Sequence, residues 1–166
     1  MNELKYSSVK HTFEPIYNME SKILILGTFP SVKSRETGFY YGHPQNRFWK
    51  VIASVYECEV PQTIEEKRHM LLNYNIAIWD VIESCDIIGS SDSSIQNVIS
   101  NDLSTILDTS NIHRIYANGK TAAKLYEKYN KSAAEISIIT LPSTSPANAT
   151  FILEQLVESW KTIKTN

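Results

Sequence analysis

The chain has 166 residues, 42% of them hydrophobic and 20% charged, with a formal net charge of -2. That length suits one domain, residues 1–166, with a sizeable core. No apolar run approaches a membrane span, and Cys58 and Cys85 lack the spacing of a disulfide scaffold, a structural zinc or an iron–sulfur cluster.

An acidic total argues against duplex binding through an evenly basic surface, because phosphate neutralisation needs Lys and Arg. Any nucleic-acid partner then requires one basic face on an acidic body. The first residues, MNELKYSSVKHTFEP, contain no apolar signal region, so a cytoplasmic protein is expected.

Residues 1–20 show no clear period and read as an irregular N-terminal arm. Ile23-Leu24-Ile25-Leu26 is a buried strand, predicted over Lys22–Leu26. Gly27 and Pro30 turn the chain into a loop that runs to Gln45 and carries Phe39, Tyr40, Tyr41 and His43. Loops of that length without structure of their own are uncommon unless they work. From Asn46, residues Phe48, Trp49, Ile52, Val55 and Tyr56 recur at helical spacing. Pro61 breaks the chain, and Thr63 with Glu66 predicts a capping box for the next helix.

Asn75–Trp79 reads as a second strand, followed by a Ser-, Asp- and Gly-rich loop over Asp80–Ser94. Ile95, Val98, Ile99, Leu103, Ile106 and Leu107 predict a helical segment. His113–Ala117 is a third strand, leading through Asn118-Gly119-Lys120 into a helix. Glu135–Leu141 is a fourth. Pro142–Ala147 forms a third loop, and Asn148–Lys164 a closing helix.

Strands and helices alternate with no hairpin signal. The expected fold is α/β: a three-layer α/β/α sandwich around a central four-stranded parallel sheet. Ligands in such folds bind beyond the carboxyl ends of the strands. The three unusual loops all leave such ends and should meet at one cleft.

Three stretches then carry a resemblance. GTFPS after the first strand, FYYGHPQNRFWKVI entering a helix and LPSTSPAN after the last strand resemble the uracil-DNA glycosylase superfamily. HPQNRFWKVI is similar to the mismatch-specific uracil and thymine glycosylases. GTFPS with FYYGHPQN, WDVI and GSSDSSI is more similar to the hypoxanthine-DNA glycosylase branch. The similarity runs in order from about Ser21 to the end. The resemblance implies a uracil-DNA glycosylase-like fold and a monofunctional glycosylase. Such an enzyme flips a deaminated base, hypoxanthine or uracil, out of DNA and cleaves its N-glycosidic bond. It leaves an abasic site for base excision repair, with no cofactor and no metal. DNA is the implied partner, no membrane is involved, and a monomer is expected.

The resemblance also implies roles. Asn46 is the catalytic candidate, orienting water or bonding the base; it can at the same time be an N-cap for the helix beginning at Arg47. Gly27, Thr28 and Phe29 line the base pocket, and Tyr41 stacks on the flipped base. Ser31, Lys33 and Ser34 are candidates for phosphate contact. Ser143, Thr144, Ser145 and Pro146 match the segment that enters the minor groove; an ST-rich helix cap is the alternative. Ser90, Asp92, Ser93, Asn118 and Lys120 are lesser candidates, as is His43 for a substrate contact. Two departures stand out. Mismatch-specific relatives carry an Asn that helps place the attacking water where this chain has Phe29. The main uracil branch has an Asp nearby, and none lies between Gly27 and Trp49.

Other classes fit less well. A hydrolase using Ser31 or Ser143 would need a nucleophile elbow, and no G-x-S-x-G is present. GTFPS lacks the glycine spacing of a dinucleotide turn. No lysine falls at an obvious nucleophile position within the pocket motifs, so a Schiff-base lyase step is not expected. A noncatalytic DNA- or nucleotide-binding module on the same fold is the alternative reading.

Overall fold

Alternating apolar runs and helical stripes become a layered structure in a computed structural model, which describes residues 5–164. In chain order the elements are β1 (Ser7–Lys10), β2 (Ile23–Gly27), α1 (Val32–Thr37), α2 (Phe48–Val55) and α3 (Ile64–Asn73). There follow β3 (Ile76–Asp80), β4 (Ile82–Ile87), β5 (Gln96–Ser100), α4 (Ser104–Asp108) and β6 (Arg114–Asn118). The chain closes with α5 (Lys120–Tyr129), α6 (Lys131–Ala134), β7 (Ile138–Leu141) and α7 (Leu153–Trp160).

The central sheet has four strands in the order β3-β2-β6-β7, all parallel. β2, β3 and β6 are buried on both sides, which is why they read as apolar runs, while the edge strand β7 is partly exposed. Along β2 the side chains alternate between layers. Ile23 and Ile25 pack with α2, α3 and α7 through Phe48, Ile52, Leu71 and Trp160. Leu24 and Leu26 pack with α4 and α5 through Ile106 and Tyr126. The expected three-layer sandwich is therefore present. Trp160 is fully buried and its indole N–H donates to the Pro142 carbonyl at 3.0 Å, joining α7 to the end of β7.

The structure departs from the sequence expectation around a second sheet. β1, β4 and β5 form a three-stranded sheet in the order β1-β4-β5. Its pairings are antiparallel. The arm is thus not irregular in its described part: Ser7–Lys10 pairs with Ser84–Ile87, and Ile16 bridges Ile78. Residues 1–4 of the arm lie outside the described residues. The expected loop over 80–94 contains β4, and the expected helix over 95–107 is β5 followed by the short α4. Ile95, Val98 and Ile99 do sit at helical spacing, but Ile99 is 59% exposed. Pairing with β4 overrode that local pattern. Register shifts along β4 and β5 hid the strand alternation. A four-residue edge strand with one apolar residue, Val9, offers no period at all.

Smaller differences follow from length. α1 interrupts the first long loop, capped by Ser31 and closed by Gly38 at φ 73. β7 begins at Ile138 because α6 runs to Ala134 and Glu135 turns at φ 58. The closing helix begins at Leu153, after an irregular stretch.

α3 forms where predicted. Thr63 Oγ1 accepts from the Glu66 N–H at 3.0 Å, and the Glu66 carboxylate accepts from the Thr63 N–H. Only Met70 and Leu71 of α3 are buried, so packing contributes little and the cap counts. Thr63→Ala is expected to lower the unfolding free energy by about 1 kcal/mol, measured by urea denaturation. Thr63→Ser should leave it nearly unchanged.

Candidate active site

The carboxyl ends of β2, β3, β6 and β7 open onto a cavity of about 510 Å³. Its walls come from the loop after β2, the β4–β5 connection around Ser90–Ser93, and the loop after β7. The convergence expected from topology is there.

Asn46 lies on this wall, and its amide orientation follows from its neighbours. The backbone N–H of Thr144 donates to Asn118 Oδ1 at 3.0 Å. Asn118 Nδ2 therefore donates to Thr144 Oγ1, also at 3.0 Å. That leaves the Thr144 hydroxyl hydrogen for Asn46 Oδ1, at 2.8 Å. The Phe48 N–H donates to the same Asn46 oxygen at 2.9 Å. A backbone N–H can only donate, so the chain of assignments has one solution. Asn46 Oδ1 is occupied twice, and Nδ2, with two N–H donors, is the end left for the cavity. Asn46 Oδ1 bonds the first N–H of α2, although the N-cap position itself is Arg47, and among the described residues Nδ2 has no hydrogen-bond partner.

Arg47 holds the opposite loop. Its guanidinium donates to the carbonyls of Ser145 at 2.9 Å, Asn148 at 3.0 Å, Thr144 at 3.4 Å and Phe151. A cation against four carbonyls fixes the backbone of the last loop. Pro146 and Ala147 are left exposed at its tip.

The aromatic turn packs beneath the cavity. Tyr41 stacks on Phe48, centroids 4.0 Å apart, with a backbone φ of 52. A tyrosine in the left-handed region carries strain, and its surroundings must hold it there. Its hydroxyl is buried, near Asn118 yet without a hydrogen-bond partner among the described residues. Burial first, and then the Asp80 charge, push its ionisation well above the usual tyrosine range.

The predicted residues divide into those the cavity receives and those it does not. Gly27, Thr28, Phe29, Tyr41 and Asn46 all line it, as do Ser31, Ser34, Ser143, Thr144, Ser145 and Pro146. One DNA-contact candidate lies outside the cavity, and two are buried. Lys33 is exposed, pairs with Glu36 at 3.5 Å and is not a lining residue. Thr144 is fully buried and engaged in the amide relay, so no surface remains for phosphate. Ser34 is 1% exposed; it accepts from Gly42 N–H at 2.9 Å and clips α1 to the aromatic turn. Among the described lining residues none is Lys or Arg. The rim instead offers hydroxyls from Ser31, Ser90, Ser91, Ser93, Ser143 and Ser145. His43 lines the cavity, with Nδ1 accepting from Gln45 N–H at 3.1 Å. Lys120 is exposed and outside it.

Sequence reasoning missed Asp80 and His11. Asp80 ends β3, is 3% exposed and lines the cavity. Its Oδ2 lies 2.9 Å from His11 Nε2. The signal was available for Asp80, a lone acid at the carboxyl end of an apolar strand. His11 gave none, since nothing local ties the arm to the sheet.

Residues 14–164 match the family model described as Uracil DNA glycosylase superfamily. The chain belongs to that superfamily. It is similar to a protein of Methanosarcina acetivorans named hypoxanthine DNA glycosylase, with 31% identity over 86% of this chain and 90% of the relative. A protein of the same name from Methanosarcina barkeri is also 31% identical, over 84% of this chain and 88% of its own. Among solved structures, the chain resembles a solution NMR structure from Methanosarcina acetivorans, provisionally described as a uracil DNA glycosylase. The TM-score is 0.76 with 28% identity, covering 92% of this chain and 97% of the other. Among the described residues no helix is long and apolar enough to cross a membrane.

Two outcomes follow for this member of the superfamily. Thr144→Val removes the hydroxyl that joins Asn118 to Asn46 and leaves both amides short of a partner. It should cost about 1–3 kcal/mol in urea unfolding, while Thr144→Ser should cost much less. The second concerns Asp92, at the cavity mouth. Burial first, then the charge of Asp80, raise its carboxyl to about 6. The raised value means the folded state prefers Asp92 protonated. Its contribution is present below pH ~4 and is lost as pH rises through about 6. The residue as a whole is exposed, so solvent screening keeps the effect small. Asp92→Asn should therefore melt slightly above wild type at pH 7 and alongside it at pH 4.

Proposed function

We propose that this DNA glycosylase takes hypoxanthine, and secondarily uracil, out of the DNA stack into the cavity beside Asn46, cleaves the N-glycosidic bond and leaves an abasic site. The observation that carries the reading is Asn46 Nδ2, which has no hydrogen-bond partner among the described residues.

Deamination converts an exocyclic amino donor into a carbonyl acceptor, at position 6 of adenine and position 4 of cytosine. A fixed N–H donor accepts the deaminated base and faces a like donor on the parent base. Sites built to hydrogen-bond a substrate group reject the analogue lacking it strongly, because their own polar atom is then left unpaired. The same donor gains strength as the bond breaks, since the departing base accumulates negative charge on its carbonyl.

The remaining parts support this use. The cavity volume suits a purine. Tyr41, stacked on Phe48, is the aromatic surface for the base. The serine-rich rim and backbone N–H groups supply phosphate contacts without fixed cations, a common way to position DNA. The exposed Pro146–Ala147 tip, braced by Arg47, enters the duplex and fills the gap. The names of the two Methanosarcina relatives favour hypoxanthine over uracil. Two free cysteines suit a reducing cytoplasm, where a monomer acts on DNA.

Labelled oligonucleotides carrying one deoxyinosine or deoxyuridine, single-stranded or paired, test the proposal. Hot alkali after incubation reveals abasic sites. Wild type should cut deoxyinosine strands only after alkali, and Asn46→Ala should excise at least about a hundredfold more slowly, with an unchanged circular dichroism spectrum. No abasic site on any substrate would leave a binding module in its place.

A further inference from the structure

The relay that aims Asn46 explains recognition of the base and assistance to its departure. It leaves the other half of the reaction, attack at the sugar, without a protein group. We propose that Asp80 is a catalytic carboxylate that binds the attacking water and stabilises the cationic sugar, and that His11 is the positioning residue that aims it. This rests on the glycosylase reading above.

Asp80 stands beside Gly27 in the parallel register of β3 and β2, at the cavity floor. Every part of it except one oxygen is committed. Its backbone carbonyl accepts from Asn101 Nδ2 at 2.9 Å. Oδ2 is bonded to His11 Nε2 at 2.9 Å. The two side chains are 5% and 3% exposed respectively. His11 is itself over-determined: its backbone N–H donates to Glu83 O at 2.6 Å. Its ring packs against Phe13 at 4.5 Å, Tyr40 at 5.9 Å and Phe29 at 6.2 Å. Oδ1 has no hydrogen-bond partner among the described residues.

That oxygen points at the bare Cα of Gly27. A Cβ there would collide with Asp80 Oδ1 and stand 3.1 Å from the Tyr41 hydroxyl. The carboxylate and the buried, unpartnered Tyr41 hydroxyl thus offer an acceptor and a donor to one point above a glycine. Water needs such partners, and a buried carboxylate half satisfied by a histidine has a strong reason to hold it. Gly27 is required there by close approach rather than by a turn.

The step balances without a cofactor. Water oxygen forms a bond to C1′ as the C1′–N bond breaks and its electron pair leaves on the base. The proton lost by the water passes to Asp80 Oδ1 and ends, through solvent, on the released base. In a floor of low polarity the same negative charge stabilises the positive charge developing on the sugar.

Single-turnover excision from deoxyinosine duplexes, beside binding to an uncleaved duplex, tests this. Asp80→Asn keeps shape and hydrogen bonding but loses the charge. Its rate should fall at least about a hundredfold, with duplex affinity and melting temperature near wild type. Sodium formate should restore part of the activity of Asp80→Ala, which a merely structural carboxylate would not allow. His11→Phe keeps the ring packing without the donor and should slow excision by about ten- to a hundredfold. His11→Gln, which still reaches Oδ2, should recover most of that. Asp80→Asn at wild-type rate while Asn46→Ala is impaired would overturn the Asp80 role alone. His11→Phe at wild-type rate would reduce His11 to packing. A wild-type protein that excises nothing would overturn the glycosylase reading, and this inference with it.

Discussion

One buried hydroxyl, Thr144 Oγ1, holds the two halves of the site together. It donates to Asn46 and accepts from Asn118, residues that arrive from the loop after β2 and the end of β6. The hydroxyl between the two amides is fully buried, and a buried polar group without its partner costs about 1–3 kcal/mol. The relay therefore acts as a selection rule: only one arrangement of three side chains satisfies every donor and acceptor. That arrangement decides which atom of Asn46 faces the cavity. A donor rather than an acceptor faces the cavity because a backbone N–H, two residues before Ser145's neighbour Pro146, has to give its hydrogen to Asn118.

The rest of the architecture serves to deliver these groups to one place. The parallel sheet brings the carboxyl ends of β2, β3, β6 and β7 side by side. The layers that bury it, through Trp160 and Phe48 on one side and Tyr126 on the other, keep the strand ends from drifting. The second sheet has a different task. β4 continues almost directly from β3, so Asp80 sits at the junction of the two sheets. β1 lies against β4 and carries His11 back over that junction. The β4–β5 connection supplies the serine lip, and Ser90 Oγ accepts from Val32 N–H at 2.9 Å to tie the lip to α1. Residues 7–11 of the arm are thereby packed against the cavity residue Asp80 and the strand that follows it.

The central sheet was legible because each strand is an apolar run bounded by polar turns, and Thr63 with Glu66 is a local signal sufficient for a cap. Tyr41 and Asn46 were legible because they cluster in one loop at a strand end. The second sheet was not. Val98 and Ile99 satisfy, with Ile95, a helical period, and only pairing with β4 makes Val98 and Ile99 part of a strand. Thr144 was read as a surface residue because polarity in a loop ordinarily means exposure. Its burial depends on Asn118, which lies 26 residues away in sequence. His11 and Asp80 are 69 residues apart, and a contact of that range between an arm and a strand end leaves no trace in local pattern. Asn46 itself was found, but not the direction of its amide, which is a property of three loops together.

The direction of the Asn46 amide is the central claim, and it is most directly read by NMR. Uniformly 15N-labelled protein would be titrated with free hypoxanthine, following the Asn46 side-chain NH2 pair, assigned by its loss in Asn46→Asp. A donor aimed into the cavity predicts a saturable downfield shift of one of the two Asn46 amide protons as the base carbonyl accepts it. An Asn46 pair that does not move while other cavity resonances do would mean that the amide nitrogen does not meet the base, and the account of recognition would fall.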